Sequence, residues 1–578
     1  MTTNISKEKR EKLINKISAI KKYIQSVPQD ENTGNLLTYI AEIEKDIKGK
    51  KYGLVFEEHK EAIDEKLENN VPVLKEDESL FINNGGQMNF LIEGDNLASL
   101  HLLEKTHKGK IDLIYIDPPY NTGNEDFIYD DKYIDTEDSF KHSKWLSFMS
   151  NRLDIAYNLL SNKGLIFISI DDIELAPLKL LCENKFGDNF VAQLVIETGE
   201  VFGTKAAHAS KTFVKVKDYV LIYQKKESVE KSILYDSCRE KFDSHYNTII
   251  INNERFNFIK FLKNNKEISK YFEKYNLDIN AKNINILMGL NNEFADYIYS
   301  ISDNLYADAP LSKKIDDNIL NSVESGEPFL YDNKLCFKTK TGSVRMFISF
   351  KDSLKKSDDY ISNYERCSIR GDLWKNFHID MRNIDDEGEV KFKNGKKPVR
   401  LIQQLIKWSN FKNSTILDFF SGSGTTGHAV MKLNAEDGGN RKFILCTNNE
   451  NNICRDVTYE RIKRVIEKEN YKASLKYMKV DFVPITDKFY YEYADELLKN
   501  VKELVELENA INFKDNNEIA IILTENELDE FTRDISNKCK TIYIGHNVLP
   551  TQEQEKIFKD NKIKINIIPD YYYRDLEK

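Results

Sequence analysis

Apolar residues recur at helical spacing near the start of the chain. Leu13, Ile14, Ile17, Ile20 and Ile24 form one stripe, and Leu36, Leu37, Ile40, Ile43 and Ile47 repeat it after a break at Pro28 and Gly34. Residues three and four apart share a helix face, so residues 1–85 are expected to be a helical N-terminal segment. It would serve as a cap packing on the next domain, or as an arm for a dimer or partner. The charged run KEDE at 75–78 reads as a solvated linker.

From residue 86 the pattern changes. FLIEGDNLASLHLLE reads as a strand running into a helix, and WLSFMSNRLDIAYNLL as an amphipathic helix. IDLIYID (111–117) and GLIFISID (164–171) are unbroken apolar runs, as buried parallel strands require. Residues 86–224 are therefore a βαβ series. Residues 225–370 are rich in Asn, Lys, Tyr and Asp and show no clean period. Residues 371–470 return to α/β, with helix VRLIQQLIKW, strand STILDFF, a Gly-rich turn, a helix and strand KFILC. Residues 471–578 carry IAIILT, CKTIYIG and IKINII. Thr524 with Glu527 and Thr551 with Gln554 have capping-box spacing, which predicts a small C-terminal α/β unit.

Composition narrows the class. The 578 residues carry 84 Lys and Arg against 94 Asp and Glu, a net charge of −10, which excludes a histone-like basic protein. The deficit is uneven. Residues 225–370 hold 23 basic against 22 acidic side chains, and residues 471–578 hold 16 against 21. Phosphate binding depends on local clusters such as Lys391 to Lys397, so the acidic total does not exclude DNA. A basic strip on an acidic body is expected. The seven cysteines form no C-x-x-C, and no histidines stand in H-x-x-x-H. Neither a disulfide framework nor a metal site is therefore expected, and a reducing cytoplasm is the natural compartment. The N-terminus lacks an apolar signal region and no apolar run reaches membrane-spanning length, so no membrane partner is expected.

Two motifs carry chemistry. Gly422, Gly424 and Gly427 match G-x-G-x-x-G between strand TILDFF and helix TTGHAVMKL. Such glycines let a ligand approach backbone N–H groups at a helix N-terminus, or simply close a tight turn. Asp117-Pro118-Pro119-Tyr120 ends the run IDLIYID, and strand ends are where ligands bind in open α/β sheets. Proline has no N–H and leaves its carbonyl free, Asp adds an acceptor, and Tyr offers a flat stacking surface. Two acceptors beside an aromatic plate suit a planar exocyclic amine. A rigid turn closing a strand is the bland alternative.

DPPY followed about 300 residues later by DFFSGSGTTGHAV resembles the S-adenosylmethionine-dependent DNA amino-methyltransferases of the permuted β arrangement. The longer members of that arrangement include the modification subunits of type III restriction–modification systems, which the chain resembles. It runs from about Phe90 to Ile466 and takes in LIEGDN, NTG after the tyrosine, KDYVLIYQKK and FKNGKKPVRLI. It implies a Rossmann-like methyltransferase sheet of the α/β class, with a target-recognition domain inserted at 225–370. It also implies that Asp117 and Pro118, in the catalytic stretch Asp117, Pro118, Pro119 and Tyr120, hold the target amine. Tyr120 would stack on a flipped base, with Asn121 and Phe127 beside the substrate.

Cofactor contacts implied by the resemblance are Asp418, Phe419, Gly422, Gly424 and Thr425, with Glu450 for the ribose, Asp95 for the adenine part, and Lys397 with Pro398 beside the pocket. Asp95 could equally cap the helix after it, and Lys397-Pro398 could equally be a plain helix start. The ribose acid is displaced from the strand end, where Thr447 and Asn448 stand. Arg239, Arg255, Arg345, Arg366 and Arg370 are candidates for reading bases or binding phosphate, and His428 reads as structural. The expected function is methylation of adenine N6 in double-stranded DNA by a homodimer, with any cleavage left to a separate helicase–nuclease subunit. The alternatives are cytosine-N4 methylation, a solitary methyltransferase, a non-catalytic recognition subunit and an NAD-dependent oxidoreductase.

Overall fold

The computed structural model describes residues 5–27, 31–48, 56–123, 128–129, 132–133, 140–201, 212–252, 254–311, 315, 317–392, 395–485, 500–535, 538–545 and 548–568. The chain divides into two units, residues 1–58 and 59–578. The first is a pair of helices, Ile5–Ser26 and Glu31–Lys48. Ile17 and Ile24 are buried, whereas Leu13, Ile20, Leu36 and Ile43 are exposed. Gly34 lies inside the second helix rather than at the break, and Pro28 falls outside the described residues.

The second unit is built on ten strands: β1 (Asn70–Glu76), β2 (Gln87–Glu93), β3 (Ile111–Ile116), β4 (Leu160–Ile170), β5 (Phe190–Glu197), β6 (Lys217–Gln224), β7 (Leu373–Trp374), β8 (Thr415–Asp418), β9 (Lys442–Thr447) and β10 (Ala473–Pro484). Their order is β1-β10-β2-β9-β8-β3-β4-β6-β5-β7, and only β1 and β6 run against the rest. Leu113, Tyr115, Leu165 and Phe167 pack with the helices Val399–Ser409, Thr425–Asp437 and Glu460–Lys468. The two-residue period leaves Ile114, Ile116, Ile166 and Ile168 to the other face, where helices Asn96–His107, Lys141–Leu159 and Leu175–Phe186 lie side by side. A sheet buried on both faces explains the unbroken apolar runs.

Two expected boundaries shift. β1 is an edge strand within the segment expected to be helical, and its Pro72 is tolerated because an edge strand can do without one ladder N–H. β10 joins the main sheet, although it lies in the stretch assigned to the C-terminal unit. The expected solvated linker at 75–78 is partly interior, since Glu76 meets Lys476 of β10 at 3.0 Å. Lys476 also meets Glu506 of helix Val501–Asn509 at 2.6 Å, and neither side chain is exposed. Lysine inside ASLKYMKV interrupts the apolar pattern, which is why this central strand was hard to read.

The remaining C-terminal segment is a separate parallel sheet of Ile519–Ile522, Thr541–Ile544 and Lys564–Ile567. Both capping boxes form, at Thr524 and Thr551. Within 225–370, a six-stranded antiparallel sheet and four short helices enclose a core that includes Phe258, Phe272, Phe294 and Phe350. Its strands are short and half-exposed, which leaves little periodic signal. Among the described residues no helix is long and apolar enough to cross a membrane.

Removing the cation from a buried ion group strands its carboxylates. Lys476→Met is expected to cost about 3–5 kcal/mol in chemical denaturation, because Glu76 and Glu506 lose the cation they share in the interior.

Candidate active site

β8 and β3 are parallel neighbours, with Leu417 opposite Ile114. The chain leaves β8 toward β9 on one side and β3 toward β4 on the other. Sheets open a crevice where strand order reverses in this way. A cavity of about 480 Å³ lies there, lined by both motifs although about 300 residues separate them in sequence. This volume is within the ordinary range for small-molecule sites.

On the β8 side the Gly-rich loop turns into helix Thr425–Asp437. Gly424 has φ +75°, and a Cβ there would lie 3.1 Å from Thr458. Gly427 is required by packing, since a Cβ would meet Ile462 at 2.7 Å. Thr458 donates to the Gly422 carbonyl at 2.6 Å. Asp418 is buried, accepts from Phe420 N at 3.0 Å and from Thr426 Oγ1 at 2.5 Å, and burial pushes its carboxyl up to about 7. Buried Arg461 donates to Thr425 Oγ1 at 2.6 Å and lies 3.5 Å from Glu387, which ties the loop to the segment before Val399.

On the β3 side Trp145 Nε1 donates to the Pro119 carbonyl at 2.7 Å. The Pro118 carbonyl accepts no hydrogen bond from any described residue. Of the two proline carbonyls, only that of Pro118 is thus free to face a ligand. Asn121 follows in the left-handed region, φ +58°, a conformation Asn tolerates better than most residues. Its Nδ2 donates to Glu174 Oε1 at 2.6 Å and to the Lys141 carbonyl at 3.2 Å. His142 Nδ1 lies 2.7 Å from the same Glu174 oxygen.

Asp117 is held by Lys397, whose Nζ lies 2.9 and 2.8 Å from its two carboxylate oxygens. Burial raises the Asp117 carboxyl above the usual range, and Lys397 opposes this. The Lys397 ammonium also stands 4.8 Å from the centre of the Tyr120 ring. The Tyr120 hydroxyl is buried without a hydrogen-bond partner among the described residues. Burial, reinforced by the Asp117 charge, holds it well above the ordinary phenol range.

Asp117, Pro118, Pro119, Tyr120, Lys397, Asp418, Gly422, Thr425 and Glu450 line the cavity. Other expected positions do not. Asp95 caps helix Asn96–His107, accepting from Leu97 N at 2.7 Å. Phe419 is fully buried in the core, and its neighbour Phe420 takes the lining position. Gly424 packs on Thr458, Pro398 is the residue before helix Val399–Ser409, and Asn121 anchors its loop from behind. Phe127 lies outside the described residues. Thr447 and Asn448 are not among the lining residues, whereas Glu450 is.

Sequence reasoning missed Tyr115, Phe392 and Ile453 in the lining, and Trp145 behind it. Phe420, Ser421, Ser423 and Thr426 line it too, and their place in the Gly-rich motif itself was a local signal. The proposed basic strip also changes. Lys396 and Lys397 are buried, Lys396 donating to the carbonyls of Glu387 and Val390, and Lys393 is outside the described residues. Of the candidate arginines, Arg370 is buried against Asp236 and Gln404, while Arg239, Arg345 and Arg366 pair with Asp296, Asp308 and Asp243. Arg255 lies instead over the Phe337 ring, 4.1 Å from its centre.

The Asp418 carboxyl gives a test that needs no ligand. Its folded value, about 7, lies above the ordinary 3.8, so the native chain holds this proton more tightly than the unfolded one. Its contribution to stability is therefore present at low pH and lost as pH rises toward about 7. Thermal melts of wild type and Asp418→Asn should diverge between these limits, with the variant gaining relative stability as pH rises.

The sequence profile of the N6/N4 methyltransferase family, described as DNA methylase, matches residues 111–459. A Haemophilus influenzae protein, the probable type III restriction-modification enzyme HindVI Mod subunit, is 31% identical over 408 residues, covering 66% of this chain and 51% of that protein. The EcoPI Mod subunit of Escherichia phage P1 is 30% identical, covering 64% of this chain and 58% of that protein. The type II methyltransferase M.KpnI of Klebsiella pneumoniae is 30% identical, covering 68% of this chain and 90% of that protein. The chain thus spans only 51% to 58% of the length of these two type III subunits. Among solved structures, the cytosine-N4-specific PvuII DNA methyltransferase aligns with a TM-score of 0.31 at 10% identity, covering 74% of this chain and 96% of that one, too distant to bear on substrate. With the matched region embracing both motifs and the cavity they share, the chain belongs to the N6/N4 DNA methylase family.

Proposed function

We infer that the chain transfers a methyl group from S-adenosylmethionine to the N6 amine of an adenine flipped out of duplex DNA, as the modification component of a type III restriction–modification system. The observation that carries this is that Asp117, the free Pro118 carbonyl and the Tyr120 ring open onto the same cavity as the Gly-rich loop.

The lining fits the cofactor. Glu450 supplies a carboxylate suited to ribose hydroxyls, Phe392 and Phe420 supply apolar walls, and Asp418 fixes the loop beneath. S-adenosylmethionine would contribute an electrophilic methyl group on a positive sulfur. The chain's own residues do the rest. Asp117 and the Pro118 carbonyl accept the two amine hydrogens and leave the nitrogen lone pair exposed. Tyr120 stacks on the base. Positive charge growing on the nitrogen meets the Asp117 carboxylate in a buried setting, where such an interaction is strong. Trp145 keeps the Pro119 carbonyl out of competition.

Residues 225–370, with their own core, would supply base recognition. Exposed Arg255 is the best placed of the five arginines, because it is not committed to an ion pair. A homodimer and a separate restriction subunit belong to the same proposal and rest on the resemblance to type III modification subunits. An NAD-dependent oxidoreductase would leave DPPY in the cavity without a task.

Unmethylated DNA incubated with the chain and S-adenosylmethionine should yield N6-methyladenine by nucleoside mass spectrometry. N4-methylcytosine alone would replace adenine with cytosine as the target. Asp117→Ala should lower kcat by about 10²-fold or more. Trp145→Phe should lower it by about ten- to a hundredfold through loop misplacement, with little change in cofactor affinity. Since the Asp117 carboxylate must be ionised, the wild-type rate should fall as pH drops through its raised value.

A further inference from the structure

The place on Asp117 that the methylation chemistry assigns to an amine is already filled by one. Lys397 Nζ contacts both carboxylate oxygens, at 2.9 and 2.8 Å, and stands 4.8 Å from the Tyr120 ring centre, in the space between acceptor and stacking plate. Both partners line the cavity, and neither side chain is more than 16% exposed. We propose that Lys397 is an internal stand-in for the target amine: its ammonium occupies the Asp117 position that the amine must take, and a base enters only by displacing it.

The local chain allows this exchange without moving the backbone. Lys396 is pinned through the Glu387 and Val390 carbonyls, and helix Val399–Ser409 begins just after Pro398. Lys397 sits between these anchors on a flexible four-carbon stem, so rotation about side-chain bonds suffices to withdraw it. An ammonium and an exocyclic amine are both N–H donors, and Lys397 Nζ already spans both Asp117 oxygens over the Tyr120 ring, where the base amine must come. The two donors compete.

Lys397 also sets the charge of the empty site. The groups facing Asp117 are Lys397 from the segment before helix Val399–Ser409, Tyr120 from its own loop, Tyr115 from β3, Asp218 from β6 and Asp418 from β8. Lys397 is the one cation among them. It opposes the effect of burial on Asp117 while no base is bound, and so favours the ionised form that the reaction needs.

This proposal rests on the methyltransferase assignment, and its test separates the two. Methyl transfer from tritiated S-adenosylmethionine to unmethylated genomic DNA is measured across pH for wild type, Lys397→Met and Lys397→Arg. Lys397→Met should lower the KM for DNA by about three- to tenfold, because nothing has to be displaced. The acidic limb of its kcat/KM profile should move up by about one pH unit, because Asp117 has lost its cation. Lys397→Arg, which keeps the charge and can grip both oxygens, should raise KM and leave the limb in place. Unchanged KM and an unchanged limb in Lys397→Met overturn the proposal, as does a raised KM, which would make the lysine a contact for the base. Carbon-13 NMR titration of the Asp117 carboxyl without DNA gives a readout independent of methylation. Its midpoint should rise in Lys397→Met, and an unmoved midpoint contradicts the stand-in role whether or not DNA is methylated. Absence of methyl transfer by folded wild type would instead count against the DNA methylase reaction.

Discussion

A carboxylate taken out of water needs a partner, and the architecture around Asp117 follows from that requirement. Burial raises its carboxyl, and Lys397, from a segment 280 residues away, opposes that rise. Without such a cation a buried aspartate takes up a proton and stops accepting hydrogen bonds at both oxygens. The cost of holding the charge is offset by keeping an acceptor ready for a donor that arrives later. The stiffness of the loop serves the same end. Trp145 fixes the Pro119 carbonyl, Asn121 is tied to Glu174 and the Lys141 carbonyl, and the Asp117 carboxylate and the Pro118 carbonyl remain as the acceptors of this loop that face the cavity.

The sheet makes this meeting possible. β3 and β8 lie side by side although about 300 residues separate them, and the segment between carries a second sheet with its own core. The reversal of strand order at β8 and β3 opens the crevice, so each motif needs only to stand at a strand end to reach it. Chain order is immaterial to the site. The long insertion between the motifs folds around a core of its own, so it does not disturb the pocket.

The central strands and both motifs were legible because their signals are local: unbroken apolar runs, glycines that a close packing contact demands, and an Asp-Pro-Pro-Tyr stretch at a strand end. The edges were not. β1 carries a proline and a charged end, and β10 carries Lys476, whose partners Glu76 and Glu506 come from distant segments. No window of sequence shows that a lysine will be paired, so these strands read as linker and as a separate unit. The same blindness affected the site. Lys397 reads as a residue beside the pocket, which it lines, but no sequence window shows that its ammonium lies on Asp117. Asp95 forms the helix cap that its local sequence allowed, and it is not among the residues that line the cavity. Arg370 looks like any surface arginine until Asp236 and Gln404 enclose it.

The most direct test is the structure of the chain bound to a non-transferring cofactor analogue and a methylatable DNA duplex. The flipped adenine should lie against the Tyr120 ring, with its amine on Asp117 and the Pro118 carbonyl and with Lys397 withdrawn from the carboxylate. An amine placed away from Asp117, or one bound while Lys397 still holds both carboxylate oxygens, would contradict this account.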